Sequence, residues 1–143
     1  AGLLHDIGII LEDQHVHESF CNMMQTLDPQ KTLQESENEA FGFDHTMLGG
    51  RIADSWSFPE AVRAAIRYHH VSQNYRGEHL GIVRSVEVAN LICTLKEIPS
   101  VGMNLVKFPA AAIAGLSLTK EDVVVLAADL DRELTLHSNL FTL

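Results

Sequence analysis

Basic residues are scarce in this chain: ten lysines and arginines stand against nineteen aspartates and glutamates, for a formal net charge of −9. That balance excludes broad contact with a nucleic-acid backbone, which needs a basic footprint, although a small basic site stays compatible with it. Apolar runs of membrane-spanning length are missing too. The opening AGLLHDIGIIL is broken by His5-Asp6, so no transmembrane helix is expected. No signal-peptide pattern appears either. Cysteine is limited to Cys21 and Cys93, far apart and each inside a helix-like pattern. Two buried thiols in a cytoplasmic protein fit better than a disulfide. Strict polar–apolar alternation is almost absent, which leaves little room for strands. What is present is an ordinary globular composition, 46% hydrophobic and 20% charged over 143 residues, enough for one domain with a real core. The chain begins at Ala1, without Met and inside a helical pattern. We therefore expect a single all-α domain, an orthogonal helical bundle, that lacks its N-terminal helices.

The richest stretch runs from residue 41 to 70, FGFDHTMLGGRIADSWSFPEAVRAAIRYHH, with three of the eight histidines and the single tryptophan. Asp44 or Thr46 can cap a helix on which Leu48, Ile52 and Trp56 recur every four residues, so Trp56 reads as core. Gly49 and Gly50 fall in mid-helix, where each costs about 1 kcal/mol relative to Ala. Another backbone is expected to pass close to them. Ser57 and Glu60 fit a capping box around Pro59. The next helix puts Val62, Ala65, Ile66 and His69 on one face, with His70 about 100° away. An imidazole on an apolar face is ordinarily a core histidine bonded to a carbonyl. The order GLLHDIG, then GFDH, then a helix ending in HH tells against that for the set as a whole.

Elsewhere the pattern is plainer. Residues 2 to 12 read as a helix with Leu3, Leu4, Ile7, Ile10 and Leu11 on its apolar face and the His5-Asp6 pair at its edge. Residues 15 to 27 read as another, with Phe20, Met23, Met24 and Leu27 inward and His15 and His17 solvated. Asp28-Pro29 marks a turn. The acidic run 34–39 reads as the solvated face of a short helix, with Glu37 or Glu39 able to support His45. A helix over about 81–96 places Ile82, Val86, Ala89, Asn90 and Cys93 inward, where the Asn90 amide must find partners. Residues 98–109 form a connection. Thr119 and Asp122 open a closing helix with Val123, Leu126, Ala127, Leu130 and Leu134 in one stripe.

Taken together, GLLHDIG, the acidic lead-in to GFDH, LGGRIADSW-S-FP, YHH, VEVANLI and GLSLTKEDVVVL resemble an HDOD domain, the helical signalling relative of the HD metal-dependent phosphohydrolases. The resemblance spans essentially the whole chain. It implies that His5, Asp6, His45, His69 and His70 converge as four imidazoles and one carboxylate, a set suited to Fe, Mn, Zn or Ni. In the HD enzymes such a cluster holds one or two ions that activate water against phosphorus. Two features depart from the enzyme pattern. A further upstream histidine would precede Ala1, and the aspartate of the later helix is replaced by Asn90. Ile9 stands where the cyclic di-GMP-degrading branch has lysine, and no GYP follows His70. Arg63 and Arg67, one turn apart, either approach a phosphate beside His70 or lie on the solvated face.

Two functions follow from the resemblance. One is a regulatory signal-transduction module that binds signalling protein domains or a small ligand through a degenerate pocket, without efficient turnover. The other is a metal-dependent phosphohydrolase that uses the retained cluster.

Overall fold

The computed structural model describes residues 1–98, 101 and 106–137. Those residues form an all-α bundle with no strand. A 3₁₀ turn at Gly2–Leu4 leads to α1 (Ile7–His15), α2 (His17–Gln25), α3 (Leu33–Phe41), α4 (His45–Ser55) and α5 (Glu60–Tyr68). A second 3₁₀ turn, Ser72–Asn74, precedes α6 (Leu80–Leu95), α7 (Ala110–Gly115) and α8 (Lys120–Leu136). Half of the expected connection over 98–109 lies outside the described residues.

Helix α1 packs directly against α4, and glycine makes the approach possible. A Cβ on Gly8 would overlap the His45 carbonyl, and one on Gly49 would sit 2.9 Å from Ile66 Cγ2 and 3.2 Å from the Gly8 nitrogen. The expectation of a close backbone at the Gly49-Gly50 step holds for Gly49. Gly50 instead makes room for the Arg67 side chain, whose Cγ would lie 2.8 Å from an added Cβ. Three apolar clusters fill the interior. Ile9, Phe20, Met23 and Leu33 join α1, α2 and α3. Ala64, Tyr75 and Val83 join α5 to α6. Val88, Ile92 and Ala112 take up Val123, Ala127 and Leu130 from α8.

Five expectations are corrected. The first helix is interrupted: α1 starts only at Ile7, so Leu3 and Ile10 are exposed while Gly8, Ile9 and Glu12 face inward. Trp56 is 57% exposed and stacks edge-on with Phe58 at 5.7 Å, because α4 ends at Ser55, one residue before the stripe would repeat. Ser57 does not cap α5. It takes a left-handed φ of 53° and closes α4, with Ser57 N–H donating to Asp54 O and Phe58 N–H to Ala53 O. This is a Schellman closure with serine in the usual glycine place. The inward face of α6 is Val83, Val86, Glu87, Val88, Leu91 and Ile92, so Ile82 and Ala89 point outward. That helix starts at Leu80 and buries a broader face than a single stripe. On α8, Leu126 is exposed beside Val124 and Val125. The Thr119–Asp122 capping box is present, and a second one at Thr32–Glu35 opens α3. Both cysteines are free and half-buried.

Candidate metal centre

Each histidine is held by local chemistry. Asp44 caps α4, accepting from the backbone N–H groups of Thr46 at 2.9 Å and Met47 at 3.0 Å and from Asn38 Nδ2 at 3.0 Å. Burial opposes the charge on Asp44, but hydrogen bonds from the Thr46 hydroxyl at 2.6 Å, the Met47 N–H and Asn38 outweigh it and hold its carboxyl below the ordinary range. That lock sets the first residue of α4, His45, which is fully buried. Its ring Nδ1 lies 2.7 and 2.9 Å from the two oxygens of Glu37, and its backbone N–H donates to Glu37 at 3.1 Å. Glu37 reaches there because α3 ends at Gly42, whose φ of 78° turns the chain back toward α4. Of the two acidic residues considered as support, Glu37 is the one. Glu39 pairs with Lys31 on the surface.

His69 caps the end of α5 and is likewise fully buried. Its Nδ1 lies 3.1 Å from both Ala65 O and Ile66 O. His5 and Asp6 occupy the turn between the first 3₁₀ segment and α1, and His5 Nδ1 lies 2.6 Å from Gly2 O. In all three rings Nδ1 faces a carbonyl or carboxylate, the partner of a ring N–H, and this turns the Nε2 atoms of His45 and His69 toward a shared centre and that of His5 toward Asp6.

They meet at one place. His45 Nε2 is 3.4 Å from His69 Nε2 and 3.1 Å from His70 Nε2. Asp6 Oδ1 lies 3.2 Å from His69 Nε2 and 3.8 Å from His45 Nε2, while Asp6 Oδ2 faces His5 Nε2 at 3.2 Å. One donor atom from each of Asp6, His45, His69 and His70 falls within 4.8 Å of the others, and the His5 ring packs edge-on against His69 at 4.7 Å. Ligands at about 2.0–2.1 Å from a tetrahedral ion are about 3.3 Å apart, close to these separations. With Nε2 deprotonated, the two imidazoles would aim lone pairs at each other and at a carboxylate, a repulsion that a cation among them removes. The donor set therefore fits a divalent transition metal.

The electrostatics agree. Burial, then the charges of His69 and His45, push the His70 imidazole down to about 2, so it stays neutral and able to ligate. His69 is lowered as well, chiefly by burial, with the Asp6 hydrogen bond opposing. Burial alone would raise Asp6, but hydrogen bonds from His5 and His69 drive it well below the usual carboxylate range. At His5, burial lowers while the Asp6 contact raises, and the net shift is upward. A cleft of about 500 Å³, lined by Leu3, Leu4, Ile7, Ile9 and Ile10, opens beside His5 and Asp6.

Behind Glu37 stands Glu12, which sequence reasoning did not single out. It is fully buried, and neither of its oxygens receives a hydrogen bond. Desolvation first, then the neighbouring charge of Glu37, push its carboxyl up to about 9, so it keeps its proton. An acidic residue on the glycine side of an apolar helix was the available signal. Asn90 takes a different course. Its carbonyl accepts from Thr94 Oγ1 at 2.9 Å, and among the described residues no hydrogen bond joins its amide to the histidines. The polar residue that α6 turns inward is Glu87, which accepts from Ser72 N–H at 3.3 Å. Arg63 and Arg67 are engaged elsewhere. Both pair with Asp54, Arg63 also with Glu60 at 2.7 Å, and Arg67 donates to Gly50 O at 2.9 Å.

Helices that gather the aspartate of an HD pair and three further imidazoles around one point, with the histidine of the pair beside them, define an HD-related module. The family model that matches is the HDOD domain, over residues 1–72, and the chain belongs to that family. The match takes in α1 to α5 and ends at Ser72, so VEVANLI and GLSLTKEDVVVL lie beyond it. No curated protein and no solved structure matches the chain. No helix among the described residues is long and apolar enough to cross a membrane.

Proposed function

We propose that this chain is a regulatory signal-transduction module whose His/Asp pocket holds a divalent transition metal (Fe, Mn, Zn or Ni) and, through it, a small ligand or signalling partner, without efficient turnover. The observation that carries this reading is the convergence of the His45 and His69 Nε2 atoms on Asp6 Oδ1. The weak point for catalysis is charge. A two-ion hydrolase needs carboxylates to balance both ions. Here Asp6 is the single carboxylate in the donor group, while Glu37 and Glu12 sit behind His45. Arg63 and Arg67, the cations considered for phosphate contact, are committed to Asp54. The alternative, a metal-dependent phosphohydrolase, draws support from the same donor set and from the cleft that reaches His5 and Asp6.

Metal analysis and a turnover assay separate the two. The protein would be loaded in turn with Fe, Mn, Zn and Ni, its metal content measured, and cyclic di-GMP and a simple phosphodiester supplied. We expect His69→Ala to lower the bound metal by one equivalent and the wild type to release no product. Metal-dependent hydrolysis abolished by Asp6→Ala or His69→Ala would establish the enzyme reading instead.

A further inference from the structure

A second cluster of ligand-type side chains lies on the outer side of α1 and α2, apart from the histidine pocket. His17 Nδ1 is 2.8 Å from Asp13 Oδ1, and Cys21 Sγ is 3.6 Å from His17 Nε2. One donor atom from each of the three falls within 4.8 Å of the others. In a straight helix, residues eight apart have Cα atoms about 12 Å apart along the axis, beyond the joint reach of an aspartate and a cysteine. The chain is not straight there. Val16, at φ −131° and ψ 37°, separates α1 from α2, and Cys21 Sγ comes within 3.9 Å of the same His17 Nδ1 that faces Asp13.

We propose that Asp13, His17 and Cys21 form a second, surface metal site that takes a thiophilic divalent ion such as Zn or Co, with solvent completing the coordination. The donor set is one thiolate, one imidazole and one carboxylate, the mixture borderline ions prefer. Binding displaces the thiol proton to solvent, so no oxidant or reductant is needed. The separations of 2.8 to 3.9 Å bracket the about 3.3–3.7 Å edge expected for N, O and S ligands on a tetrahedral ion. All three side chains are accessible: Asp13 and His17 are exposed and Cys21 is half-buried, so an ion enters without unfolding.

Sulfur makes the test selective, because the histidine pocket contains none. Cobalt(II) would be titrated into the full chain while the near-ultraviolet thiolate-to-cobalt charge-transfer band is followed. The band should appear in the wild type and persist in His69→Ala. It should vanish in Cys21→Ser and demand at least 10-fold more cobalt in His17→Ala and Asp13→Ala. Unchanged circular dichroism would establish that these surface variants fold. No band at saturating cobalt would overturn the proposal. So would a band that survives Cys21→Ser, which places the sulfur at Cys93, or equal cobalt demand in His17→Ala and wild type.

Discussion

Replacing Glu37 by glutamine tests whether the carboxylate behind His45 tunes the metal centre or merely fills space. Glu37 accepts from the His45 ring at 2.7 and 2.9 Å and from its backbone at 3.1 Å, with both side chains fully buried. Glutamine keeps the shape and one accepting oxygen but removes the charge that makes the opposite Nε2 a better donor. Loss of such a supporting carboxylate typically weakens metal binding about 10–100-fold, or about 1.4–2.7 kcal/mol. Glu37→Ala is a different perturbation. It strands a buried ring N–H and a buried backbone N–H, and breaking a buried pair from one side costs about 3–5 kcal/mol of folding free energy. Zinc competition against a chromophoric chelator measures the first effect, and urea unfolding of metal-free protein measures the second. Wild-type zinc affinity in Glu37→Gln, with the alanine variant as stable as wild type, would refute the support role.

Glu12 predicts a pH dependence. Its carboxyl is raised from an ordinary 4.5 to about 9, so its contribution to stability is complete below about pH 4.5 and is lost as pH climbs toward 9. Metal-free wild type should lose up to about 1.4 kcal/mol per pH unit in that window relative to Glu12→Gln, and parallel urea curves for the two proteins would dismiss the idea. Gly8→Ala should cost about 1–3 kcal/mol or more, since the new methyl meets the His45 backbone rather than a movable side chain. It should weaken zinc binding as well, and a variant with wild-type melting and affinity would show that α1 and α4 can part without penalty.

The place of each histidine on its helix was legible because helical spacing is local, while their convergence was implied by the family resemblance. His69 at the end of an apolar stripe, Asp44 before His45, and the glycine step in α4 each announce their place within a few residues. The helix content was legible for the same reason, as were the Thr119 cap and the inward face of α2. What escaped depends on how segments meet. Trp56 continues the stripe on paper, but the helix stops before it. Ser57 resembles the start of a capping box, yet its N–H donates to Asp54 O and that of Phe58 to Ala53 O, so the residue closes α4 instead. The helix phase of residues 2–12 was misread because the turn at His5-Asp6 resets it, and with it the inward position of Glu12. Nothing in the run around Glu12 reveals Glu37, twenty-five positions later, as its neighbour.

The hydrogen bond from Ser72 to Glu87 gives the molecule a seam. Ser72 is the last residue of the family match, and it stands three positions beyond His69 and two beyond His70. Glu87 belongs to α6, whose far side carries α7 and α8 through Val88 and Ile92. Burial raises the Glu87 carboxyl, and the Ser72 contact offsets part of that rise. The part of the chain shared with the family and the part beyond the match are thus stitched together within one helical turn of the paired imidazoles. A tilt of α6 would therefore act on the backbone that leads from His69 and His70, and a shift of those rings would act back on α6. Linkage of this kind runs equally in both directions.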